Sequence, residues 1–471
     1  MATAQTIHLS PAAHPGIFSV PASDTTTEVG ITEASARVAS EILQDDLERH
    51  HVFFNDSGFH NHTVHHILSI YALGASPEEI RAAYERDKAY QREAIPVDEA
   101  VVASLADSGR FLELLGRQKH YSNFLRFFQK RIERDGVEGV LKEFLFKGGE
   151  DEVARAMLGR LFGGLVHPFI HLGFAIEFEQ PAIVAEALAQ TAVHEDWTGP
   201  MFFWPAEERA GGVGRRGEKS MLEILDEIRK DEKLAKSVRW EDGNKMRDGV
   251  LARAGEEMLK YAAEYTVSAE QLEEKVAEMI NTVVYYTGAA QRPSKQIKFD
   301  FFYLHSLNSS IFFSKIISLP FLDTKTKLRL LEWKGRLDLM LYVSRGTPEL
   351  YLDEITKYPT SHSWETIFAY CNRLPEDDGH LAKLVRALAN GERACRPFEN
   401  QRGWPVRGDM WLRIANMGRS SNIVQLFSIH GWLMGSTLAM DSTSDHDHHA
   451  LWVRSTGFEE AWREFDGRTK L

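Results

Sequence analysis

The chain has 471 residues, of which 43% are hydrophobic and 26% are charged, and its formal net charge is -13. This is the composition of a globular protein with enough apolar side chains for a large core. An acidic chain without a Lys/Arg-rich segment gains nothing from counterion release at phosphates, which excludes nucleic acid as an expected partner. The two cysteines, Cys371 and Cys395, are too few for a disulfide framework and form no CxxC pair.

Residues 1–30 are rich in Ala, Thr, Ser and Pro and have no helical period, so we predict a flexible N-terminal arm. The arm lacks the basic n-region and the apolar h-region of a secretory signal peptide. No later apolar stretch is long enough to span a bilayer. We therefore expect a cytoplasmic protein that makes no contact with membranes.

From Thr32 onward, apolar residues recur at spacings of three and four, which is typical of amphipathic helices. The first helix is expected in EASARVASEILQDDLERHH. The second begins where Ser76 fits the N-cap, Pro77 the first helical position and Glu79 the third, which is the pattern of a capping box. This second helix is expected to end before Pro96.

Further amphipathic runs follow along the rest of the chain, at residues 101–115, 124–146, 153–165, 183–193, 221–238, 245–265, 269–286, 301–317, 327–341, 364–373, 380–388 and 410–439. Alternating, strand-like segments are nearly absent, and no fixed-period repeat is visible. We therefore predict an all-α fold, with a single compact multi-helix catalytic domain over residues 31–440 and a buried, helix-lined active-site cavity. Residues 441–471 are expected to form a C-terminal extension.

Nucleotide-binding motifs are not found. The stretch GGVGRRGEKS at residues 211–220 is close to a phosphate-binding loop, but Glu218 stands where that loop needs lysine, and no buried strand precedes it. We interpret it as a solvated loop. Because no GxGxxG follows a strand, no dinucleotide-binding domain is expected either.

Histidines are concentrated in FHNHTVHHILSIYALGAS, which contains His60, His62, His65 and His66. On a helix, His62 would share a face with either His65 or His66. The apolar residues that follow indicate a buried helix, and buried imidazoles need partners for their ring nitrogens. A divalent cation would meet that need, since neutral imidazole is a common ligand of Fe, Zn, Cu and Ni.

A second pair of histidines, His167 and His171, lies four residues apart in the apolar segment GGLVHPFIHLGFAIEF. Pro168 suits the first turn of a helix that begins there. The spacing matches that of metal-binding helices, but no Glu follows the first histidine, so zinc-protease chemistry is not expected. Two further segments add His305, in FDFFYLHSLNSSIFF, and His380, in LPEDDGHLAKLVRAL.

Each of these histidines, taken alone, is more often a hydrogen-bonded core residue than a metal ligand. For Lys383 and Arg386, which follow His380 along one helix, the common role is the solvated face of an amphipathic helix. The two same-face pairs together with His305 make a metal site as reasonable as core packing.

The four histidine-bearing segments, taken in order, resemble the signature segments of the questin oxidase-like family. They read GFHNHTVHHILSIYALGAS, LFGGLVHPFIHLGFAIEF, FFYLHSLNSS and DGHLAKLVRAL, and the resemblance covers about residues 45–440. It implies an oxygenase of fungal secondary metabolism, which uses O2 to cleave the central ring of a hydroxyanthraquinone or of its hydroquinone. The expected partners are thus a polycyclic aromatic small molecule and O2.

The resemblance implies two mechanisms, of which one is a non-haem iron dioxygenase whose Fe(II) is held by four histidines and a carboxylated lysine. The residues of this chain that match are His65, His167, His171 and His305, with Lys383 as the lysine. Four neutral imidazoles leave the charge of Fe(II) uncompensated, and a lysine kept neutral by burial can take up CO2 and become an anionic ligand. Asp377 and Asp378 are rival anionic ligands.

Other residues would support this site. His62 and His380 are expected as substitute ligands or as groups that orient the ligands, and spacing does not decide which of His62, His65 and His66 binds the metal. Arg386 is expected to offset phenolate charge on the substrate.

The second implied mechanism is a cofactor-free Baeyer–Villiger-type oxygenase in which histidines act as general bases. A hypothesis of another class is a non-catalytic helical binding protein. In either oxygenase, NADPH would be needed only for the overall reaction, in which a separate reductase would supply the reduced substrate.

Overall fold

Helices account for nearly all regular structure in the computed structural model, which describes residues 1–11, 17–22, 30–148, 151–375, 377–432 and 452–468, and only the backbone of 422–432. Within these ranges, strand pairing is limited to isolated bridges, such as that between Phe53 and His60. The predicted all-α fold is confirmed. No helix in the described ranges is long and apolar enough to cross a membrane.

The helices of the first part of the chain are α1 (Glu33–Arg49), α2 (Thr63–Ala72), α3 (Pro77–Asp87), α4 (Glu99–Ser104), α5 (Ser108–Leu114), α6 (Tyr121–Leu141), α7 (Glu152–Leu161), α8 (Gly163–Glu177), α9 (Pro181–Val193) and α10 (Trp204–Arg209). Short π-helical segments continue α6 at Lys142–Phe146 and precede α10 at Gly199–Phe203.

The later helices are α11 (Met221–Ile228), α12 (Glu232–Ala235), α13 (Ala252–Glu264), α14 (Leu272–Ala289), α15 (Phe301–Ser310), α16 (Phe313–Ile316), α17 (Thr324–Ser344), α18 (Leu352–Thr356), α19 (Trp364–Arg373), α20 (His380–Cys395) and α21 (Met410–Trp432). A π-helical segment, Lys245–Leu251, leads into α13.

Side chains that cap helix N-termini fix where several helices begin. Ser76 accepts a hydrogen bond from the Glu79 amide while the Glu79 carboxylate accepts from the Ser76 amide, so the predicted capping box is confirmed, with Pro77 in the first turn. Ser220 caps α11 in the same way, and the glycine-rich stretch before it is a loop, as predicted. Each such cap stabilises its helix by about 1 kcal/mol.

Several of the predicted helices are interrupted, and the run at 221–238, for example, is divided between α11 and α12. The run at 101–115 is two helices, because the Asp107 side chain accepts from the Arg110 amide and starts α5 anew. The run at 301–317 is divided between α15 and α16. Apolar periodicity continues across these breaks, so spacing alone could not locate them.

The chain divides into two compact units. The first comprises residues 1–208, 311–329 and 368–386, and the second comprises 209–310, 330–367 and 387–471. In the first unit, α8 and α9 form an antiparallel hairpin, and α2 and α6 pack against it. Nearly every residue of α2, α8 and α9 is buried, so these helices form the core of that unit.

The described parts of the predicted N-terminal arm lie along helices of the first unit. The Leu9 amide donates to Ser40 Oγ at 2.8 Å, and the Val20 amide donates to the Ala72 carbonyl at 2.9 Å. Residues 12–16 and 23–29 of the arm, and residues 441–451 and 469–471 of the C-terminal extension, lie outside the described residues. The predicted bounds 1–30, 31–440 and 441–471, and the predicted cavity, stay predictions.

Candidate metal and active site

The N-terminus of α2 places the first histidines of the site. The Asn61 side chain holds this turn, because its Oδ1 accepts from the Thr63 amide at 2.9 Å while its Nδ2 donates to Asp46. His62 therefore occupies the N-cap position, and His65 lies in the first turn of the helix. Both histidines are buried.

The start of α8 is irregular, and this irregularity orients His167. Pro168 has no amide hydrogen, so it cannot donate to the carbonyl of Gly164 four residues before it. His167 Nδ1 donates a hydrogen bond to that carbonyl instead, at 2.6 Å. Regular helical backbone begins only at His167, because Gly164, Leu165 and Val166 all have positive φ. Positive φ at a β-branched valine is strained, and such strain is typical of functional sites.

His62 and His167 face each other through their Nε2 atoms, which lie 2.9 Å apart. The Nδ1 atoms of both rings face acceptors: the Asp378 carboxylate for His62, at 2.6 Å, and the Gly164 carbonyl for His167. Each Nδ1 therefore carries the proton, and two neutral rings would turn the lone pairs of both Nε2 atoms toward each other. A shared proton or a cation must lie between them. Two nitrogen ligands at right angles around one metal ion would be about 3.0 Å apart.

Asp378 joins two of these imidazoles. Its carboxylate accepts from Nδ1 of His62 and from Nδ1 of His380, and both histidines are buried. Among the described residues, these three side chains have donor atoms within 4.8 Å of one another. Because the carboxylate already holds both Nδ1 atoms, we interpret Asp378 as the group that orients two histidines whose Nε2 atoms are then available to a metal.

The neighbouring Asp377 has a different role. Its carboxylate accepts from the Leu381 amide and so caps α20. Gly379, between Asp378 and His380, has a φ of +93°, and a Cβ there would lie 2.7 Å from the Cα of His66. Only glycine allows the backbone to approach α2 so closely at this position.

His65 and His171 are buried histidines without hydrogen bonds. In the described part of the structure, neither ring nitrogen of either residue has a hydrogen-bond partner, and their ring centroids lie 5.2 Å apart. Burial, followed by the proximity of His171 and Lys383, lowers the pKa of His65 well below its ordinary value. A buried neutral imidazole with two unsatisfied nitrogens is unfavourable unless a ligand from outside the chain meets them.

Lys383 lies in the same buried region, one turn into α20. No described residue forms a hydrogen bond or an ion pair with its Nζ. Burial lowers its pKa, against the opposing effect of Asp378 and Asp377. The neutral amine is thereby favoured, as uptake of CO2 requires.

His66 faces away from these residues. Its Nδ1 lies 2.8 Å from the Asp87 carboxylate. Burial alone would lower the pKa of His66, but the charge of Asp87 and the hydrogen bond to it raise the pKa above its ordinary value. Of the three α2 histidines that spacing could not distinguish, His62 and His65 therefore lie toward His167 and His171, and His66 pairs with a carboxylate.

Three polar residues near the site were assigned no site role from the sequence, although His60 belongs to the histidine-rich segment. The His60 ring stacks on His167 with centroids 3.8 Å apart, and its Nε2 lies 2.7 Å from Nε2 of His194. Glu186 Oε2 lies 3.6 Å from Nε2 of His171. The available signal was the four-residue spacing of Glu186, Gln190 and His194 in an otherwise apolar segment.

Arg386 and His305 have partners of their own. The Arg386 guanidinium is buried in an ion pair with Glu177 and also donates to the Phe18 carbonyl. His305 belongs to the second unit, where its Nδ1 lies 2.9 Å from the Phe301 carbonyl. A ligand role for His305 and a charge-offsetting role for Arg386 stay predictions.

A model of the questin oxidase-like family matches residues 59–388, which include the histidines of all four segments. The chain belongs to this family. Baeyer-Villiger oxidase ptaJ of Pestalotiopsis fici is 38% identical to it, over 92% of this chain and 94% of the relative. Questin oxidase of Aspergillus terreus is 37% identical over 98% of each chain. Oxidoreductase AflY of Aspergillus parasiticus is 36% identical over 94% of this chain and 92% of the relative.

This questin oxidase-like chain is therefore an oxidoreductase of the oxygenase type. Its family membership agrees with the resemblance found in the four histidine-bearing segments. The family match also includes Glu186, His194 and Asp378.

Proposed function

We propose that the chain is a non-haem iron oxygenase that uses O2 to cleave the central ring of a hydroxyanthraquinone or of its hydroquinone. The observation that carries the proposal is the group of buried imidazoles from α2 and α8, whose nitrogens face each other or have no partner in the described residues. The names of the relatives, questin oxidase and Baeyer-Villiger oxidase, support insertion of oxygen next to a ring carbonyl.

Four histidines of the first unit would hold the iron: His62, His65, His167 and His171. All four are buried, and their donor set of neutral imidazoles suits Fe(II). His305, expected as a ligand from the sequence, is not needed in this set, and His62 takes its place. When bound there, Fe(II) supplies the activation of O2 that an organic substrate alone achieves slowly.

An anionic ligand would balance the charge, and Lys383 is the proposed source. Its buried amine, unpaired among the described residues and with its neutral form favoured by burial, could be carboxylated, and the carbamate oxygen would then form an ion pair with the metal. Asp378 remains occupied by two Nδ1 hydrogens, so it orients His62 and His380 rather than serving as this ligand.

The other side chains keep the site dry and ordered. Phe174 stacks near His65, with ring centroids 5.4 Å apart, and Phe169 and Phe312 extend the aromatic wall along α8. Exclusion of water strengthens every electrostatic contact in such a site. Burial favours the neutral state of His65. If His65 were not a metal ligand, it could therefore accept a phenolic proton from a substrate bound beside it.

That last role belongs to the second candidate, a cofactor-free Baeyer–Villiger-type oxygenase. It is favoured by the low pKa of His65 and by the His62–His167 contact, which a shared proton could also satisfy. NADPH and a separate reductase would serve either mechanism by supplying the reduced substrate.

Metal analysis of the purified chain separates the two. We expect about one iron per chain, loss of activity toward a dihydroxyanthraquinone hydroquinone on chelation, and recovery with Fe(II). Full turnover by metal-free protein would contradict the iron mechanism and support the cofactor-free one.

The Lys383→Met variant tests the anionic ligand. We expect it to bind iron at least tenfold more weakly, whereas Lys383→Glu, which restores a carboxylate, should recover part of the lost affinity. Unchanged iron content in Lys383→Met would exclude the lysine as a ligand. A non-catalytic binding protein would instead show no turnover in the wild type and no effect of Ala at both His167 and His171 on its ligand affinity.

A further inference from the structure

One face of α9 carries polar side chains in an otherwise apolar helix. Glu186, Gln190 and His194 follow one another at four-residue spacing, so they share a face. Gln190 has no exposed surface, and Glu186 is only 4% exposed. The remaining residues of Pro181–Val193 are Ala, Val, Ile, Leu and Thr apart from the initial proline.

This polar face lies along the histidine face of α8. Glu186 is level with His171, since Oε2 and Nε2 are 3.6 Å apart. Eight residues later, His194 is level with Gly163, where a Cβ would lie 3.7 Å from the His194 Cβ. The two helices run antiparallel, so Gln190, midway between Glu186 and His194 in the sequence, lies between these two contacts, along the part of α8 that contains His167.

Gln190 and Glu186 have unmet hydrogen-bonding capacity. Neither the amide nitrogen nor the amide oxygen of Gln190 has a partner among the described residues, and neither has Oε2 of Glu186. A separation of 3.6 Å is too long for a hydrogen bond between Glu186 and His171. His167 has Gly164 and His62 at its two ring nitrogens, so Gln190 does not serve to orient it.

Such groups are unfavourable in a protein core unless something outside the chain binds them. We propose that Gln190 and Glu186 form a hydrogen-bonding subsite for the oxygen substituents of the aromatic substrate. This inference rests on the proposed function and names the residues that recognise its substrate class.

The chemistry of the two partners is complementary. A carboxamide both donates and accepts, so Gln190 can donate to a quinone carbonyl and accept from the hydroxyl beside it. Glu186 Oε2 adds an acceptor one helical turn away for a second hydroxyl. Because Glu186 Oε2 lies 3.6 Å from His171 Nε2 and Gln190 follows one turn along α9, a substrate held there would lie beside the proposed iron ligands.

Binding of two matched ligands to the full chain tests the subsite. The ligands are a dihydroxyanthraquinone and unsubstituted anthraquinone, and their dissociation constants are measured by quenching of tryptophan fluorescence, with and without iron. We expect Gln190→Leu to weaken binding of the dihydroxyanthraquinone about fivefold to tenfold and to leave anthraquinone unchanged. Glu186→Gln should weaken the same ligand by a smaller factor.

Thr191→Val is the matched control. Thr191 is as buried as Gln190 and lies next to it, but its hydroxyl donates to the Ala187 carbonyl within α9. This variant should bind both ligands like the wild type. Since Gln190→Leu removes unsatisfied polar atoms, its melting temperature should equal or exceed that of the wild type.

Equal weakening of both ligands by Gln190→Leu, or a lower melting temperature with no ligand selectivity, would overturn the subsite and indicate a structural role. Neither result bears on the iron content or the turnover of the wild type, so the proposed function would survive it. A wild type that binds iron but neither anthraquinone would overturn the subsite together with the proposed substrate class.

Discussion

The orientation of a single imidazole depends on which acceptor holds its Nδ1. For His62 this acceptor is Asp378, which also holds His380, and for His66 it is Asp87. The two histidines lie four residues apart on the same short helix, yet their carboxylates come from different parts of the chain. Partners of this kind fix the tautomer and the direction of a metal-ligating ring.

Replacement of Asp378 by Asn should therefore weaken the metal site without unfolding the protein. The amide can no longer accept from both Nδ1 atoms, so His62 and His380 lose their fixed direction. We expect iron affinity to fall about 10- to 100-fold, measured by competition with a chelator of known affinity.

Asp377→Asn is the control for that experiment. Asp377 caps α20 through the Leu381 amide, and asparagine caps helices as well as aspartate does. Its iron affinity should stay within about twofold of the wild type. Equal effects of the two substitutions would contradict the orienting role of Asp378.

At the scale of elements, the start of α8 shows how a helix end can position a functional side chain. Pro168 leaves the Gly164 carbonyl without a helical donor, and His167 binds it. Gly164 also lies against the outer histidine pair, because a Cβ there would lie 2.3 Å from Cε1 of His194 and 3.0 Å from Cε1 of His60. The glycine thus permits the close stacking of His60 on His167.

Gly164→Ala should damage this arrangement more than backbone strain alone would. Gly136, in α6, also has positive φ, but a Cβ added there would meet nothing within 4 Å, so Gly136→Ala measures the strain by itself. We expect Gly136→Ala to lower the free energy of unfolding by about 1 kcal/mol and Gly164→Ala to lower it by about 1–3 kcal/mol more, measured in urea. Equal losses would show that the His60–His194 pair moves aside freely.

A buried ion pair ties α8 to α20. Glu177, at the end of α8, pairs with Arg386, and the described N-terminal segment completes the group, since the Ile17 amide donates to Glu177 and the Phe18 carbonyl accepts from Arg386. These two helices carry His171 and Lys383. The ion pair therefore fixes their relative position within the first unit.

Arg386→Met should thus reduce the stability of the protein more than it reduces catalysis. It leaves Glu177 buried without a counter-charge, and we expect the free energy of unfolding to fall by about 3–5 kcal/mol. The double variant with Glu177→Met should lose less, since no unpaired charge remains. A stable single variant with a lower kcat would instead support the sequence-based hypothesis that Arg386 offsets substrate charge.

At the scale of the whole molecule, burial of neutral histidines makes the fold sensitive to acid. Burial lowers the pKa of both His51 and His194 to about 4. Unfolding returns each to about 6.5, so between these values the unfolded chain binds more protons than the folded one. The free energy of unfolding therefore increases as pH rises through this window and decreases as pH falls through it.

Each of the two histidines should contribute about 1.4 kcal/mol per pH unit between pH 6.5 and 4. Thermal unfolding of metal-free protein at several pH values measures the sum. The ring nitrogens of His51 contact the backbone of Gln118 and Phe53, and His51→Gln should reduce this slope without abolishing it. A melting temperature that stays constant from pH 7 to pH 5 would contradict the neutral, buried state of both histidines.

The sequence by itself determined the helical class, several helix starts and the four segments that carry the chemistry. These features are local: Ser76 and Glu79 cap a helix through bonds across three residues, and apolar spacing reports one face of one helix. Each of the four histidine-bearing segments is also contiguous in the sequence, so it can be recognised without the fold. For the same reason, spacing missed the breaks at Asp107 and between α15 and α16.

Only the tertiary structure decided which histidines meet and what each one faces. The carboxylate on His62 comes from 316 residues along the chain, and the partner of His60 from 134 residues away. Spacing within a segment could not separate His62 and His65 from His66, or reveal that Glu186 Oε2 lies 3.6 Å from His171 Nε2. Whether a buried imidazole is paired, orienting or available to a metal depends on atoms brought to it by other helices, and only packing brings them there.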